Sequence, residues 1–188
     1  MPRRIIQGLS FPKNNRPKFK LHSFTTGFSG LSNVLYNKVL ISQAFDSTSE
    51  QVDPKDCGAR EYMAIWDTGA TGTAITKKVV DECGLKPTGV AVVHTAAGES
   101  KTNTYLVNVW LPNRVMVPNV RAALGELIGT DVLIGMNIIN QGDFAVTNKD
   151  GKTVFSFRLP SVECLDFVDK PFKTKPIKTI PSRKRFGH

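Results

Sequence analysis

Three cysteines, Cys57, Cys83 and Cys164, are all that the 188 residues hold, and none stands at metal-ligand spacing from another. An odd count without a signal peptide reads as reduced thiols, which predicts a cytoplasmic protein. No run reaches the roughly 18 apolar residues that a membrane span needs, so no membrane partner is expected. Ile5-Ile6-Gln7-Gly8-Leu9, behind the basic Met1-Pro2-Arg3-Arg4, is too short and interrupted for a secretory core. His22, His94 and His188 are scattered, and read as surface or packing residues. No metal and no cofactor is expected. Also missing are a Gly-x-Ser-x-Gly elbow, a phosphate-binding Gly-x-x-x-x-Gly-Lys, a Cys-x-x-Cys pair and any internal repeat.

Acid is missing from both ends of the chain. All 16 acidic residues lie between Asp46 and Asp169, where 11 Lys and Arg leave a body of net charge −5; seven basic residues precede it and seven follow. The formal charge of +9 thus belongs to the tails. Such tails with interleaved Phe could bind nucleic acid by neutralising phosphate and stacking on bases. The reading preferred is that they solvate the molecule or fold on a partner. An apolar share of 40% is a little low for a compact globule, which agrees with part of the chain being unpacked.

Residues 1–27 mix Pro, Lys, Arg, Asn and Ser without helical or strand period, and are expected to form a flexible basic arm. Residues 28–160 form the expected domain, and 161–188 a Pro- and Lys-rich tail. Within the domain, Val34 to Phe45 is β-rich, 47–60 reads as a loop, and Tyr62 to Trp66 as a strand. Thr73 to Thr76 can run as a short strand, with Thr76 capping a helix from Lys77 to Cys83 that Gly84 stops. Val90 to His94 and Thr104 to Trp110 flank a small-residue tip in an expected hairpin. Val115 to Val120 carries Pro118, which predicts an edge strand or a strand's end. Asp131 to Ile134 reads as a strand and Asn137 to Asn140 as a short helix. The sharpest turn chemistry is Asn148-Lys149-Asp150-Gly151, between strands at 143–147 and 153–157.

The chain is organised around Ile65-Trp66-Asp67-Thr68-Gly69-Ala70-Thr71 and the later Val132-Leu133-Ile134-Gly135-Met136-Asn137. A carboxylate directly after an apolar strand must be hydrogen-bonded, paired or protonated, so its placement calls for a gain elsewhere. Thr68 can hold the turn with its hydroxyl, and Gly69 admits close approach of another backbone. These are the parts of a carboxylate presented on a rigid turn. The bland reading is that Asp67 starts an Asx-type turn and does nothing more.

Asp-Thr-Gly-Ala-Thr, followed about 65 residues later by an apolar pair and Gly-x-Asn, resembles the retropepsin family of aspartic proteases, and more narrowly its bacterial members. The resemblance covers roughly residues 33–160. It implies an all-β, retropepsin-like acid protease barrel with one lobe per chain and an active site completed by a homodimer. Asp67 would be the catalytic carboxylate, Thr68 the residue that grips the partner subunit, and Gly69 the third member of the triad. Ala70 and Thr71, with Ala96, Ala97 and Gly98 at the tip of a covering flap, would meet the substrate, and Ile134, Gly135 and Asn137 would support the turn from behind. Ala70 replaces the Ser or Thr usual at this place in pepsin-like members. With no hydroxyl there to donate to Asp67, activity is expected in mildly rather than strongly acidic conditions.

Chemistry requires the partner. Peptide hydrolysis without metal or nucleophile needs one group to take a proton from water and another to protonate the carbonyl oxygen. Two carboxylates in contact share one proton and do both, and this chain carries one Asp-Thr-Gly. The implied function is therefore an aspartic endopeptidase acting on a peptide or protein. The alternatives are a non-catalytic, dimeric peptide-binding or scaffolding module of the same fold, and a nucleic-acid-associated protein acting through its tails.

Overall fold

The computed structural model describes residues 22–45, 53–95, 98–112 and 115–167. In chain order the strands are β1 (His22–Gly27), β2 (Leu35–Gln43), β3 (Arg60–Trp66), β4 (Thr73–Ile75), β5 (Gly89–Thr95), β6 (Gly98–Leu111), β7 (Val115–Leu124), β8 (Val132–Ile134), β9 (Asp143–Thr147) and β10 (Val154–Leu159). Two short helices interrupt them, α1 (Lys77–Glu82) and α2 (Met136–Ile139).

Six strands close on themselves in the order β2-β3-β8-β4-β7-β6, because β6 pairs back onto β2 from Leu40↔Trp110 to Gln43↔Val107. The result is a closed, all-β barrel. Alternation builds its interior: Asn37, Val39 and Ile41 of β2, and Tyr62, Ala64 and Trp66 of β3, are buried, while the residues between them are exposed or only partly covered. β6 is long because it serves twice. From Thr104 onward it is almost wholly buried in the barrel, whereas its first residues are exposed and pair only with β5 as a projecting hairpin.

A second sheet, in the order β1-β10-β9, packs beside the barrel. Phe24, Phe155 and Phe157 are buried there around Trp66, with ring centroids 5.2 to 6.2 Å apart. Aromatic rings bring large apolar area and favour tilted or edge contacts such as these. Trp66 therefore belongs to both sheets, and it is the residue immediately before Asp67.

Three expectations change. The arm expected over residues 1–27 loses its last six to β1, which pairs with β10 along His22↔Leu159 to Gly27↔Val154. One buried ring, Phe24, anchors that strand, and a single apolar residue among Ser and Thr shows no period. Residues 1–21 and 168–188, most of the two predicted tails, lie outside the described residues. Pro118 does not end the strand, since β7 runs on to Leu124, and the expected edge is local: β4 pairs only with Ala122–Leu124, so at Pro118 no strand among the described residues lies on the far side of β7. It sits at a bulge, where Pro118 and Asn119 together oppose Asn108 and Asn119 takes φ 54. The ladder is already interrupted there, so the missing proline N–H costs nothing, and Asn119 N–H donates instead to Asn108 Oδ1 at 3.0 Å.

The third change is in a cap. Thr76 stands at the N-cap of α1 without a side-chain hydrogen bond to the helix. Its backbone N–H donates to Asp131 O at 3.0 Å, tying the helix start to the residue before β8. The expected stop at Gly84 is present, with φ +59 and Leu85 N–H closing onto Val80 O. In the last hairpin, Asp150 and Gly151 both take positive φ, within a short 3-10 turn at Lys149–Gly151.

Candidate active site

Asp67 follows the last residue of β3, and its backbone is fixed before its side chain is considered. Its N–H donates to Ile134 O at 3.0 Å, which prolongs the parallel β3–β8 pairing by one step, and its carbonyl accepts from Ala70 N–H at 3.3 Å. The carboxylate turns back on its own loop, where Oδ1 accepts the Gly69 N–H at 2.8 Å. A Cβ on Gly69 would come within 3.2 Å of that oxygen. No other hydrogen bond or ion pair to the carboxylate exists among the described residues, and the side chain is half-exposed. Asp67 is thus aimed, but left open.

Behind the turn, β8 is followed by Gly135, which lies directly under it. A Cβ at Gly135 would overlap the Gly72 carbonyl and come within 2.9 Å of Ala70 O. Only a residue without a side chain lets the two segments cross so closely. The crossing is then secured by hydrogen bonds: Met136 N–H donates to Ala70 O at 2.8 Å and Asn137 N–H to Thr71 O at 3.1 Å. Asn137 also fastens two barrel strands. Its Oδ1 accepts from Thr73 Oγ1 at 2.8 Å, and its Nδ2 donates to Arg121 O at 3.3 Å.

Asp67, Gly69, Ala70 and Thr71 are thereby joined with Ile134, Gly135 and Asn137 in one bonded unit. Thr68 stands on its exposed crest, and its hydroxyl makes no hydrogen bond among the described residues. The Thr71 hydroxyl is exposed and does not donate to Asp67. Gly98 belongs to the separate β5–β6 hairpin, exposed at φ +117 and paired with Thr95. Ala96 and Ala97, the two residues between them, lie outside the described residues.

Several residues that build the site were not singled out from the sequence. Thr73 opens β4 and holds Asn137; Gly72 receives Gly135; Trp66 orients the turn from below. The Trp66 indole N–H donates to Asn37 Oδ1 at 2.9 Å in the barrel interior, and the ring stacks on Phe144 at 5.5 Å and 8°. The one available signal was Asn37, a polar residue at an inward position of an otherwise apolar alternation.

Two clusters of titratable groups lie away from the turn. Burial, with hydrogen bonds to Cys83 and Glu82, pushes the Tyr62 phenol far up and keeps it protonated. Burial likewise raises the Cys83 thiol against the lowering effect of its hydrogen bond to Tyr62. At the start of β9, burial works to raise the Asp143 carboxyl, but Ser161 Oγ, the Val162 N–H and the Arg158 guanidinium outweigh it and hold the group below its ordinary value. Arg158 reaches it with Nε at 2.9 Å and Nη2 at 2.5 Å.

Comparison with known proteins gives one family match. Residues 57–141 match the family model described as gag-polyprotein putative aspartyl protease, a span that contains both the Asp67 turn and the Gly135 crossing. Two solved structures are similar. The crystal structure of a retropepsin-like aspartic protease from Rickettsia conorii is 13% identical, with 77% of this chain and 99% of that one covered and a TM-score of 0.46. The solution structure of the simian foamy virus (mac) protease is 15% identical, with 55% and 92% covered and a TM-score of 0.35. No curated protein matches. The similarity to aspartyl proteases thus lies in the central stretch that holds the Asp67 turn and the Gly135 crossing.

Proposed function

We propose that the chain is an aspartic endopeptidase whose active site is completed by a second copy of itself. The observation that carries this is the Asp67 carboxylate, fixed by the Gly69 N–H on one oxygen and otherwise unengaged by the described residues. That bond alone makes an Asx turn; the bracing of the same turn from behind by Gly135, Met136 and Asn137 argues that the carboxylate is held for use. This one is a half-site.

In the dimer, the two Asp67 carboxylates hold a water and one proton between them. The unprotonated member takes a proton from the water as its oxygen attacks the peptide carbonyl carbon, and the protonated member donates to the carbonyl oxygen. Collapse of the tetrahedral intermediate breaks the C–N bond and returns a proton to the leaving amine, so one water is consumed and the dyad is restored. Thr68, exposed on the crest, would engage its symmetry mate, and the β5–β6 hairpin would close over the bound peptide.

The test is incubation of the purified protein with an unfolded polypeptide, with fragments identified by mass spectrometry. Asp67→Asn keeps the size and the Gly69 hydrogen bond but removes the charge, and should lower turnover by at least about a thousandfold, in line with the loss of an essential acid–base group. Unchanged cleavage by Asp67→Asn would end this reading.

A further inference from the structure

The chain reaches the Asp67 turn through Trp66, so whatever fixes that indole also fixes the strand end from which the carboxylate projects. We infer that Asn37 is a positioning residue for Asp67, acting through its buried hydrogen bond to the Trp66 indole. This rests on the peptidase reading above.

Asn37 stands where packing alone calls for an apolar side chain. It begins the buried alternation of β2 that Val39 and Ile41 continue, and it is 8% exposed. Burying an amide costs free energy unless its hydrogen bonds are made. Here only one side is satisfied: Oδ1 accepts the Trp66 Nε1–H at 2.9 Å, while Nδ2 finds no acceptor among the described residues. An indole N–H only donates, so the amide has no alternative orientation. A valine would continue the apolar row without the unmade bond. What the amide adds is a fixed acceptor for Trp66.

The rings around Trp66 do not replace that acceptor. Phe144 stacks on the indole at 5.5 Å and 8°, and Phe24, Phe155 and Phe157 meet it at 51° to 54°. Such contacts hold the plane of the indole but leave it free to turn within that plane. The bond to Asn37 selects one orientation. Asn37 lies opposite Ala64, which makes Trp66 its diagonal neighbour on the same inner face. From Trp66 to the site is a single peptide, and the next N–H, that of Asp67, donates to Ile134 O. A misplacement of about 1 Å at a reacting group can cost about a hundredfold in rate, so a turned indole would be felt in turnover before it was felt in peptide binding.

The test compares Asn37→Val, Trp66→Phe and the double variant in the full chain, by kinetics and by NMR. The two tryptophans give two indole N–H signals, and Trp110, bonded to Ser42 Oγ, serves as the internal control. In Asn37→Val, folded by circular dichroism, the Trp66 indole signal should shift and that of Trp110 stay. The Gly69 amide, whose proton lies on Asp67 Oδ1, should shift as well, while that of Gly151 in the distant last hairpin stays. Turnover should fall at least about tenfold with KM within about twofold. Trp66→Phe, which deletes the donor, should lower kcat by a similar factor, and the double variant no further than either single one, because one bond is lost in all three. An unshifted Gly69 amide with unchanged kcat in Asn37→Val, or losses that multiply in the double variant, would overturn the positioning role and leave the peptidase reading standing. A shifted Gly69 amide in Asn37→Val, beside a wild-type protein that cuts no polypeptide, would support the positioning role and sink the peptidase reading instead.

Discussion

Gly135 shows how a single residue sets the position of a catalytic group without touching it. A methyl group there would collide with backbone, the Gly72 carbonyl, and backbone cannot rotate out of the way as a side chain can. The turn would have to lift, stretching the bonds from Met136 to Ala70 and from Asn137 to Thr71. Overpacking usually costs about 1–3 kcal/mol and occasionally more, and a clash with backbone belongs at the upper end. Gly135→Ala should therefore lower the urea midpoint by the equivalent of about 3 kcal/mol with an unchanged m-value, and should reduce turnover as well, because the displaced turn carries Asp67. Loss of stability with turnover intact would show that the crossing supports the barrel and not the carboxylate.

Among the elements, the segment after β10 is attached at its start through the Asp143 carboxylate, with the Arg158–Glu163 ion pair beyond it. Asp143 accepts from Arg158, Ser161 and the Val162 N–H, and Ser161 N–H donates to Gln141 O. A carboxyl held below its ordinary value contributes stability that is fully present above that value, near 3.8, and is lost as pH falls through the lower folded one. Acidification below about pH 4 should release residues 161–167 before the barrel unfolds. Hydrogen exchange at Val162 as a function of pH would show this, and Asp143→Asn should make that exchange fast and nearly independent of pH over the same range. Exchange at Val162 that stays slow in acid would mean that the segment has another anchor. Legibility in the sequence also divides at this scale. Strands that alternate, such as Tyr62-Ala64-Trp66, and turns with Asp-Gly could be read because the signal is local. β1 could not, because its one buried residue is explained by the rings of Trp66, Phe155 and Phe157, all distant in sequence. Pro118 could be read as an edge signal, but its place inside a strand that runs on to Leu124 could not, because the bulge opposite Asn108 depends on the partner strand. At the site, Asp67 and Gly135 were visible from their surroundings, whereas Thr73 and Asn37 act through partners distant in sequence.

For the molecule as a whole, a single chain presents one carboxylate on a braced turn, bonded to the Gly69 N–H and otherwise unengaged among the described residues. The proposed peptidase chemistry needs two such carboxylates, and so a second copy. The direct measurement mixes wild-type protein with Asp67→Asn at constant total concentration, allows the subunits to exchange, and records peptidase activity. When a pair of Asp67 residues is required, only wild-type homodimers cut, and an equal mixture should keep about one quarter of the activity of undiluted wild type. Activity that falls only to one half, in proportion to the wild-type chains present, would show that each chain works by itself and would contradict the account.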